Sequence, residues 1–314
     1  MAIAKMNKVM LIAPTDKQND LLDAIQELQS LEVTSLEQAK ELFTQKSIVL
    51  KDADEQEVNT LQQQFEGINA AIAFVEKNQK QPSMIQKLKI AREQFTLSEL
   101  QEEVSKWNTD ELVQHVENIR SSLRKKEDEL KELREKETLL RKWSVLDFYP
   151  KDIFKHPYTK TKMGVIPQAV DNAYLEILKN SDLISVHEVY HTREEIGLLV
   201  TYPRKAQLEA KTELAKAHFS IVWYAFEEAP SIELKKNLET QKAVVEAKKK
   251  VLDDLQEEKD LLRKLQLSAE VTYNELQKEQ AKNELVNGQH VFVLQGWLTT
   301  KAVDDVEVQL KEKL

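Results

Sequence analysis

The chain has 314 residues, of which 32% are charged and 6% aromatic, and only five are glycine. This composition favours long helices over one large core. The net charge of −9 is spread along the whole sequence, and no segment is basic enough to bind a phosphate backbone. This charge distribution argues against nucleic-acid binding. The absence of cysteine excludes disulfides and thiolate metal sites, and no apolar run approaches the ~20 residues that a membrane helix needs.

The first elements are predicted to be a strand, a helix and a second strand. Val9–Ala13 is a short apolar run, and Thr15 or Asp16 can cap the helix that follows. The buried stripe of that helix comprises Leu21, Leu22, Ile25 and Leu28. Residues 31–37 then predict a strand, and a helix of uncertain extent follows around residues 37–43.

Two stretches without proline, residues 83–149 and 231–314, predict long helices. Their apolar residues recur at alternating four- and three-residue steps, which is typical of a coiled-coil seam. The seam residues are Leu112, Val116, Ile119, Leu123, Leu130, Leu133 and Leu140 in one stretch, and Leu238, Val245, Leu252, Leu255, Leu262, Ala269 and Leu276 in the other. Because a seam is buried only against another seam, we expect antiparallel packing, with Ser231–Val286 as one helix and a break around Pro82–Lys106.

The segment between the two stretches has the pattern β-α-β-β-α-β. Its predicted elements, in order, are Lys160–Ile166, Val170–Leu178, Ser185–His191, Ile196–Tyr202, Lys205–Ala217 and Phe219–Phe226. The strands alternate apolar and polar residues, so one face of the sheet is expected to rest on the two helices.

The C-terminal end supplies a strand at His290–Leu298 and a helix at Thr300–Leu314. Together with the N-terminal elements they predict one ferredoxin-type sheet, into which the rest of the chain is inserted. The fourth strand of that sheet is absent from the pattern, so we expect the chain to be a piece of a longer protein.

The predicted fold class is α+β, with two ferredoxin-like α/β lobes joined by a long antiparallel coiled coil or helical bundle. Three domains are predicted. They are a discontinuous proximal lobe at 1–50 plus 287–314, a coiled-coil rod at 51–146 and 230–286, and a distal lobe at 147–229.

No catalytic, cofactor or metal site is predicted. The sequence has no phosphate-binding loop, and His187 and His191 would lie ~13 Å apart on one strand, too far to share a metal without other ligands. Paired carboxylates such as Asp253 and Asp254 lie among lysines and are interpreted as a solvated helix face.

Four strings, taken in order around the two lobes and the rod, carry a resemblance to a known family. They are Lys5–Ile12 (KMNKVMLI), Met163–Pro167 (MGVIP), Phe219–Trp223 (FSIVW) leading to Glu227–Pro230 (EEAP), and Gln295–Leu298 (QGWL). In this order they resemble the cytoplasmic half of subunit a of the V-type ATPase, called subunit I in bacteria and archaea. The resemblance covers the whole chain. Thr299 stands where the family commonly has proline, and threonine permits the same helix start.

The resemblance implies a non-catalytic stator subunit at the cytoplasmic face of a membrane, without a cofactor. It implies, as partners, the peripheral-stalk E–G heterodimers, the central-stalk socket subunit, the membrane half of the same subunit and the rotor ring. A candidate partner interface lies on the strand Ser185–His191. It comprises His187, Val189, Tyr190 and His191, and strict alternation places His187, Val189 and His191 on one face with Glu188 and Tyr190 on the other.

Two other classes of protein share parts of this pattern. A coiled-coil scaffold or tether unrelated to ATPases would share the rod and the lobes, but the missing fourth strand predicts a membrane continuation beyond Leu314 and argues against it. An enzyme with a coiled-coil substrate arm, such as certain synthetases, would share the rod alone. The absence of a nucleotide or metal motif argues against that class.

Overall fold

The computed structural model describes residues 5–28, 30–34, 55–80, 94–153, 155–282, 285–287 and 290–313. The fold is α+β, as the sequence predicts. The helix predicted around residues 37–43 and much of the predicted break at 82–106 lie outside these ranges. No helix within them is long and apolar enough to cross a bilayer.

The strands are β1 (Met6–Pro14), β2 (Glu32–Thr34), β3 (Thr159–Pro167), β4 (Ser185–His191), β5 (Glu195–Pro203), β6 (Ser220–Ile221), β7 (Val286–Asn287) and β8 (Val291–Thr299). The helices are α1 (Gln18–Leu28), α2 (Glu55–Asn78), α3 (Leu97–Val104), α4 (Thr109–Trp143), α5 (Pro150–Ile153), α6 (Ala173–Lys179), α7 (Gln207–Lys216), α8 (Pro230–Glu257), α9 (Leu261–Lys282) and α10 (Val303–Lys313). The chain divides into two compact units, unit 1 (Met1–Ser121 and Leu252–Leu314) and unit 2 (Ser122–Val251).

The sheet of unit 1 joins the two ends of the chain. β8 lies between β1 and β2 and is antiparallel to both, with Met6 opposite Thr299 and Glu32 opposite Trp297. A two-residue strand that the sequence analysis missed, β7, also pairs with β8. Helices α1 and α10 cover one face, and the core between them and the sheet comprises Leu21, Leu22, Ile25, Phe292, Leu294, Leu298, Val306 and Leu310.

The helical part of unit 1 packs α2, α9, the first turns of α4 and the last turn of α8 around one apolar cluster. Its buried members include Ile68, Val75, Val116, Leu255 and Leu265. Six of the predicted seam residues, Leu112, Val116, Ile119, Leu255, Leu262 and Ala269, belong to it, either buried or packed against it. In this part of unit 1 the seam prediction therefore identifies the contact.

The prediction of one helix over Ser231–Val286 is wrong, because α8 ends at Glu257 and α9 begins at Leu261. The end of α2 explains the interruption. The Gln79 side-chain amide donates to the carbonyl oxygens of Leu255, at 2.7 Å, and Glu258, at 3.0 Å. These carbonyls at the helix end are satisfied by a side chain instead of by a further helical turn.

In unit 2, α4 and α8 pack antiparallel, since Lys248 pairs with Glu127 at 2.6 Å and Gln241 donates to Glu137 at 2.7 Å. The predicted seam of α8 is displaced by one residue here. Val245 is 50% exposed, whereas Val244 is 8% exposed.

A polar layer interrupts the apolar contact between α4 and α8. Asn237 is buried, and the amide nitrogen of Gln241 donates to the Asn237 side-chain oxygen at 2.8 Å. The same nitrogen lies 3.4 Å from the carbonyl oxygen of Leu133. The seam of α8 is thus polar where the sequence analysis placed Leu238.

The sheet of unit 2 is antiparallel in the order β4-β5-β3-β6, and both faces are covered. On one face, α6 and α7 enclose a core that includes Leu178, Leu198 and Ala210. On the other face, Met163 and Leu199 contact a cluster that includes Leu140 and Trp143 of α4.

The fourth strand of this sheet is shorter than predicted: the expected strand Phe219–Phe226 is reduced to Ser220–Ile221. After it, the N–H of Val222 still donates to Met163 at 2.9 Å, but Tyr224 turns into the cluster around Trp143. The Tyr224 hydroxyl donates to the Glu228 carbonyl at 2.6 Å, which directs the chain away from the sheet and towards α8.

Replacement by alanine is expected to have opposite effects on stability at two glycines of unit 1. A Cβ at Gly296 in β8 would lie 2.5 Å from the Glu32 carbonyl oxygen of β2, whereas a Cβ at Gly67 in α2 would meet only Val113, at 4.0 Å. Gly296→Ala is expected to lower the free energy of unfolding by about 1–3 kcal/mol through overpacking. Gly67→Ala is expected to raise it by about 0.5–1 kcal/mol because glycine is unfavourable inside a helix. Urea unfolding of the whole chain measures both, and effects of the same sign would contradict this account.

Candidate functional site

Strand β4 of unit 2 carries the residues that the sequence analysis selected as a partner surface. The structure does not present them together. Val189 is buried and Tyr190 is partly buried, while His187 and His191 are exposed. Any surface formed here therefore consists mainly of the two imidazoles and the side chains beside them.

The alternation predicted for this strand is wrong after Glu188. A bulge shifts the register with β5 between Glu188 and Tyr190. Val189 and Tyr190 both pack in the cluster around Trp143, and His191 lies 2.5 Å from Glu188. His191 is thereby separated from Val189, with which it was expected to share a face. A bulge of this kind adds one residue to a strand and changes the direction of the side chains that follow it.

The partly buried side of β4 is fixed by a polar network. The Tyr190 hydroxyl donates to a Glu195 carboxylate oxygen at 2.8 Å, and the Lys142 ammonium donates to the same oxygen at 2.7 Å. The hydrogen bond from Lys142 holds the pKa of Glu195 below its usual range. Burial raises the pKa of Tyr190, and its hydrogen bond to Glu195 adds to that effect. The ring of Tyr190 also packs edge-on against Trp143, with centroids 5.1 Å apart.

The exposed side of β4 carries a second cluster, centred on Glu188. Its carboxylate pairs with Lys179 of α6 at 2.6 Å and with His191 at 2.5 Å. The hydrogen bond from Lys179, followed by that from His191, lowers the pKa of Glu188. The cluster is an ion-pair network at the surface.

Within the described ranges, no group of three His, Cys, Asp or Glu side chains is placed to hold a metal ion. The carboxylates of Asp253, Asp254 and Glu257 are exposed on α8, in keeping with the interpretation of a solvated face.

One charged surface of unit 2 was not predicted from the sequence. Lys151, Lys155, Lys160 and Lys162 line a cavity of about 310 Å³ at the β6 edge of the sheet of unit 2, next to Trp223. The signal was present, since four lysines occur within twelve residues. It was hidden because the charge was summed over 147–229, where acidic residues elsewhere in the segment outweigh these lysines.

The strings that carry the family resemblance lie on strands of both sheets. Lys5–Ile12 lies largely on β1, Met163–Pro167 on β3, the middle of Phe219–Trp223 on β6, and Gln295–Leu298 on β8. Steric hindrance explains why glycine occupies position 164 in the string MGVIP. A Cβ at Gly164 would lie 2.3 Å from the Ser220 carbonyl oxygen of β6.

No family model matches the sequence, and no curated protein sequence is similar to it. Among solved structures, the chain is similar to one described as "Crystal structure of the cytoplasmic N-terminal domain of subunit I, homolog of subunit a, of V-ATPase". The alignment covers 97% of each chain, with 14% sequence identity and a TM-score of 0.46. The family in that description is the one that the four strings resemble.

Proposed function

We propose that this chain is the cytoplasmic part of a subunit a or subunit I of a V-type ATPase, and that it acts as a non-catalytic stator element. In this role it links the membrane sector to the peripheral stalks at the cytoplasmic face and resists torque during ATP-coupled ion transport.

The observation that carries the proposal is that the four strings lie on two sheets whose strands are arranged in the same order. In unit 2 the strands are ordered second, third, first, fourth along the sheet, and in unit 1 the strand β8 lies between the first and second strands in the same way. This is the strand order of a ferredoxin-like lobe. We therefore propose that each sheet, with its two helices, is one ferredoxin-like lobe.

The finer division of the chain belongs to the same proposal. The proximal lobe comprises 1–50 plus 287–314, the distal lobe comprises 147–229, and the segments 51–146 and 230–286 form an antiparallel coiled-coil rod. A stiff helical rod suits a stator because torque made in one sector is useful only if the other sector does not rotate with it.

The distal lobe is proposed to bind an E–G heterodimer through β4. His187, opposite Leu199, and His191, opposite Ile196, would contact the partner from the two faces of this edge strand. Val189 and Tyr190 would hold the strand against the cluster around Trp143. A surface of imidazoles and ion pairs suits a moderate, polar interface better than a permanent hydrophobic one. The socket subunit, the membrane half and the rotor ring complete the proposed set of partners.

Calorimetric titration of a purified E–G heterodimer into the 314-residue chain tests this role. The expected dissociation constant is in the ~micromolar range, which corresponds to about 8 kcal/mol. The chain alone is expected to show no ATPase activity. The double variant His187→Ala/His191→Ala should bind about tenfold more weakly, as expected when two interface contacts are truncated.

The control is His290→Ala, which removes an exposed imidazole from unit 1. It should leave the affinity unchanged. No measurable heat at about 100-fold above the expected constant, with both proteins folded by circular dichroism, would remove the proposed attachment. Equal weakening by both histidine variants would show that the contact lies away from β4.

A further inference from the structure

The sheet of unit 2 has an open edge beside β3. This strand pairs with β5 along its whole length, from Thr159 to Pro167. On its other side, among the residues that the structure describes, it pairs only with β6, at Gly164 and Val165. The open part of the edge, Thr159–Lys162, is where the predicted strand Phe219–Phe226 would have continued.

The backbone groups at this edge can be assigned from the contacts around them. In a strand, the N–H and C=O of one residue point to the same side, and alternate residues point to opposite sides. The Met163 carbonyl accepts from Val222 on the β6 side, and the Thr159 N–H donates to His156 at 3.3 Å. Thr161 lies between these two residues at the same spacing, so its N–H and C=O also point to the open side. Towards the neighbouring strand β5, the Thr161 hydroxyl lies 2.9 Å from the Thr201 hydroxyl.

The open edge is strongly basic. Lys151, Lys155, Lys160 and Lys162 line the cavity beside it, and none of the four ammonium groups has a carboxylate within ion-pair distance among the described residues. Desolvation lowers the pKa of Lys160, and the nearby charges of Lys162, Lys211 and Arg204 add to the effect. This local excess of positive charge contrasts with the acidic chain around it.

Beside the lysines, the cavity also has an apolar wall. It is lined by Met163 and Val222, and the neighbouring Trp223 is 80% exposed. An exposed indole beside lysines that have no carboxylate partner among the described residues is typical of a contact surface, because aromatic side chains are enriched where proteins bind one another.

We propose that this basic edge, defined as Thr159–Lys162 with Lys151, Lys155 and Trp223, binds an acidic extended segment of a partner protein, which adds to the sheet beside β3. An added strand brings both a donor and an acceptor for the two backbone groups of Thr161. Its carboxylates meet the lysines, and one apolar side chain enters the cavity. The proposal goes beyond the stator role and does not depend on it.

Competing anions fit this surface less well. Thr161 is only 8% exposed, at the bottom of a concave edge that a flat bilayer does not reach. The phosphodiester of a nucleic acid or of a lipid headgroup accepts hydrogen bonds but offers no donor for the Thr161 carbonyl. An extended segment of a partner protein satisfies both the N–H and the C=O of Thr161. The lysines favour a segment that is negatively charged.

The probe is a seven-residue peptide of alternating glutamate and valine, acetylated and amidated, titrated into the 314-residue chain by calorimetry at low salt. The wild-type chain is expected to bind it, and Lys160→Glu/Lys162→Glu is expected to weaken binding at least tenfold. The matched control Lys249→Glu/Lys250→Glu reverses two exposed charges on α8 and should change the affinity less than twofold. If the first variant fails to fold by circular dichroism, Lys160→Ala/Lys162→Ala replaces it.

A second measurement follows the backbone. Peptide binding should slow amide hydrogen exchange at Thr161, because the added strand accepts its N–H. A peptide of alternating lysine and valine, vesicles with phosphatidylserine and single-stranded poly-dT serve as competitors and should not produce this protection. No binding of the acidic peptide, equal binding by the charge-reversed variant, or protection of Thr161 by vesicles or poly-dT alone would each overturn the proposal.

Discussion

Leu255→Asp is expected to destabilise the chain by about 3–5 kcal/mol, since it replaces a fully buried side chain by a charge with no partner. Leu255 lies in the last turn of α8, within the cluster that also contains Ile68, Val116 and Leu265 of unit 1. An aspartate there either remains ionised in an apolar contact or takes up a proton, and both outcomes cost free energy.

The matched control for this variant lies two residues further along the same helix. Glu257 is exposed, and Glu257→Ala should change the free energy of unfolding by no more than about 0.5 kcal/mol. Urea unfolding followed by circular dichroism at 222 nm compares the two variants. Losses of similar size would mean that the helix face carrying Leu255 is not the buried one.

Trp143→Ala is expected to cost about 3–5 kcal/mol, because it removes the largest fully buried side chain of unit 2. The indole covers the sheet face that the helices α6 and α7 leave free, and it packs edge-on against Tyr190. Its loss should leave a cavity between α4 and the sheet and release the Tyr190–Glu195 contact.

Trp143→Phe distinguishes the contribution of the aromatic ring to stability from that of the indole N–H. The indole nitrogen is buried without a hydrogen-bond partner among the described residues, so phenylalanine removes an unsatisfied donor while it keeps much of the apolar contact. This variant should be clearly more stable than Trp143→Ala. Trp223→Ala, at an exposed tryptophan, should stay within about 0.5 kcal/mol of wild type. Thermal and urea unfolding test the order, and an alanine variant of Trp143 as stable as that of Trp223 would contradict it.

The sequence predicted the elements whose hydrophobic period is long and regular. The apolar steps of α4 identify buried positions such as Val116, Leu123 and Leu140. Strand β4 has the predicted bounds, although its alternation breaks at the bulge. The period did not predict the side of the seam along α8, where Val244 rather than Val245 is buried. Two adjacent valines fit a repeat of seven about equally well, and only the packing partner distinguishes them.

The candidate site was harder to predict because its geometry depends on residues distant in the sequence. The bulge in β4 arises from register with β5, and no local signal marks it. The shortening of β6 depends on Tyr224, which packs against α4 and bonds to Glu228. The open basic edge follows from that shortening. The lysines were visible in the sequence, but the missing strand beside them was not.

The polar layer of Asn237 and Gln241 has a mechanical consequence for the pair α4 and α8. If α8 slid along α4 by one turn, Gln241 would lose its bonds to Glu137 and to the Leu133 carbonyl. A purely apolar seam has nearly equal energies at successive offsets, whereas one buried amide selects a single offset. The layer therefore fixes the axial offset of the two helices, so that they can bend together but resist sliding past each other.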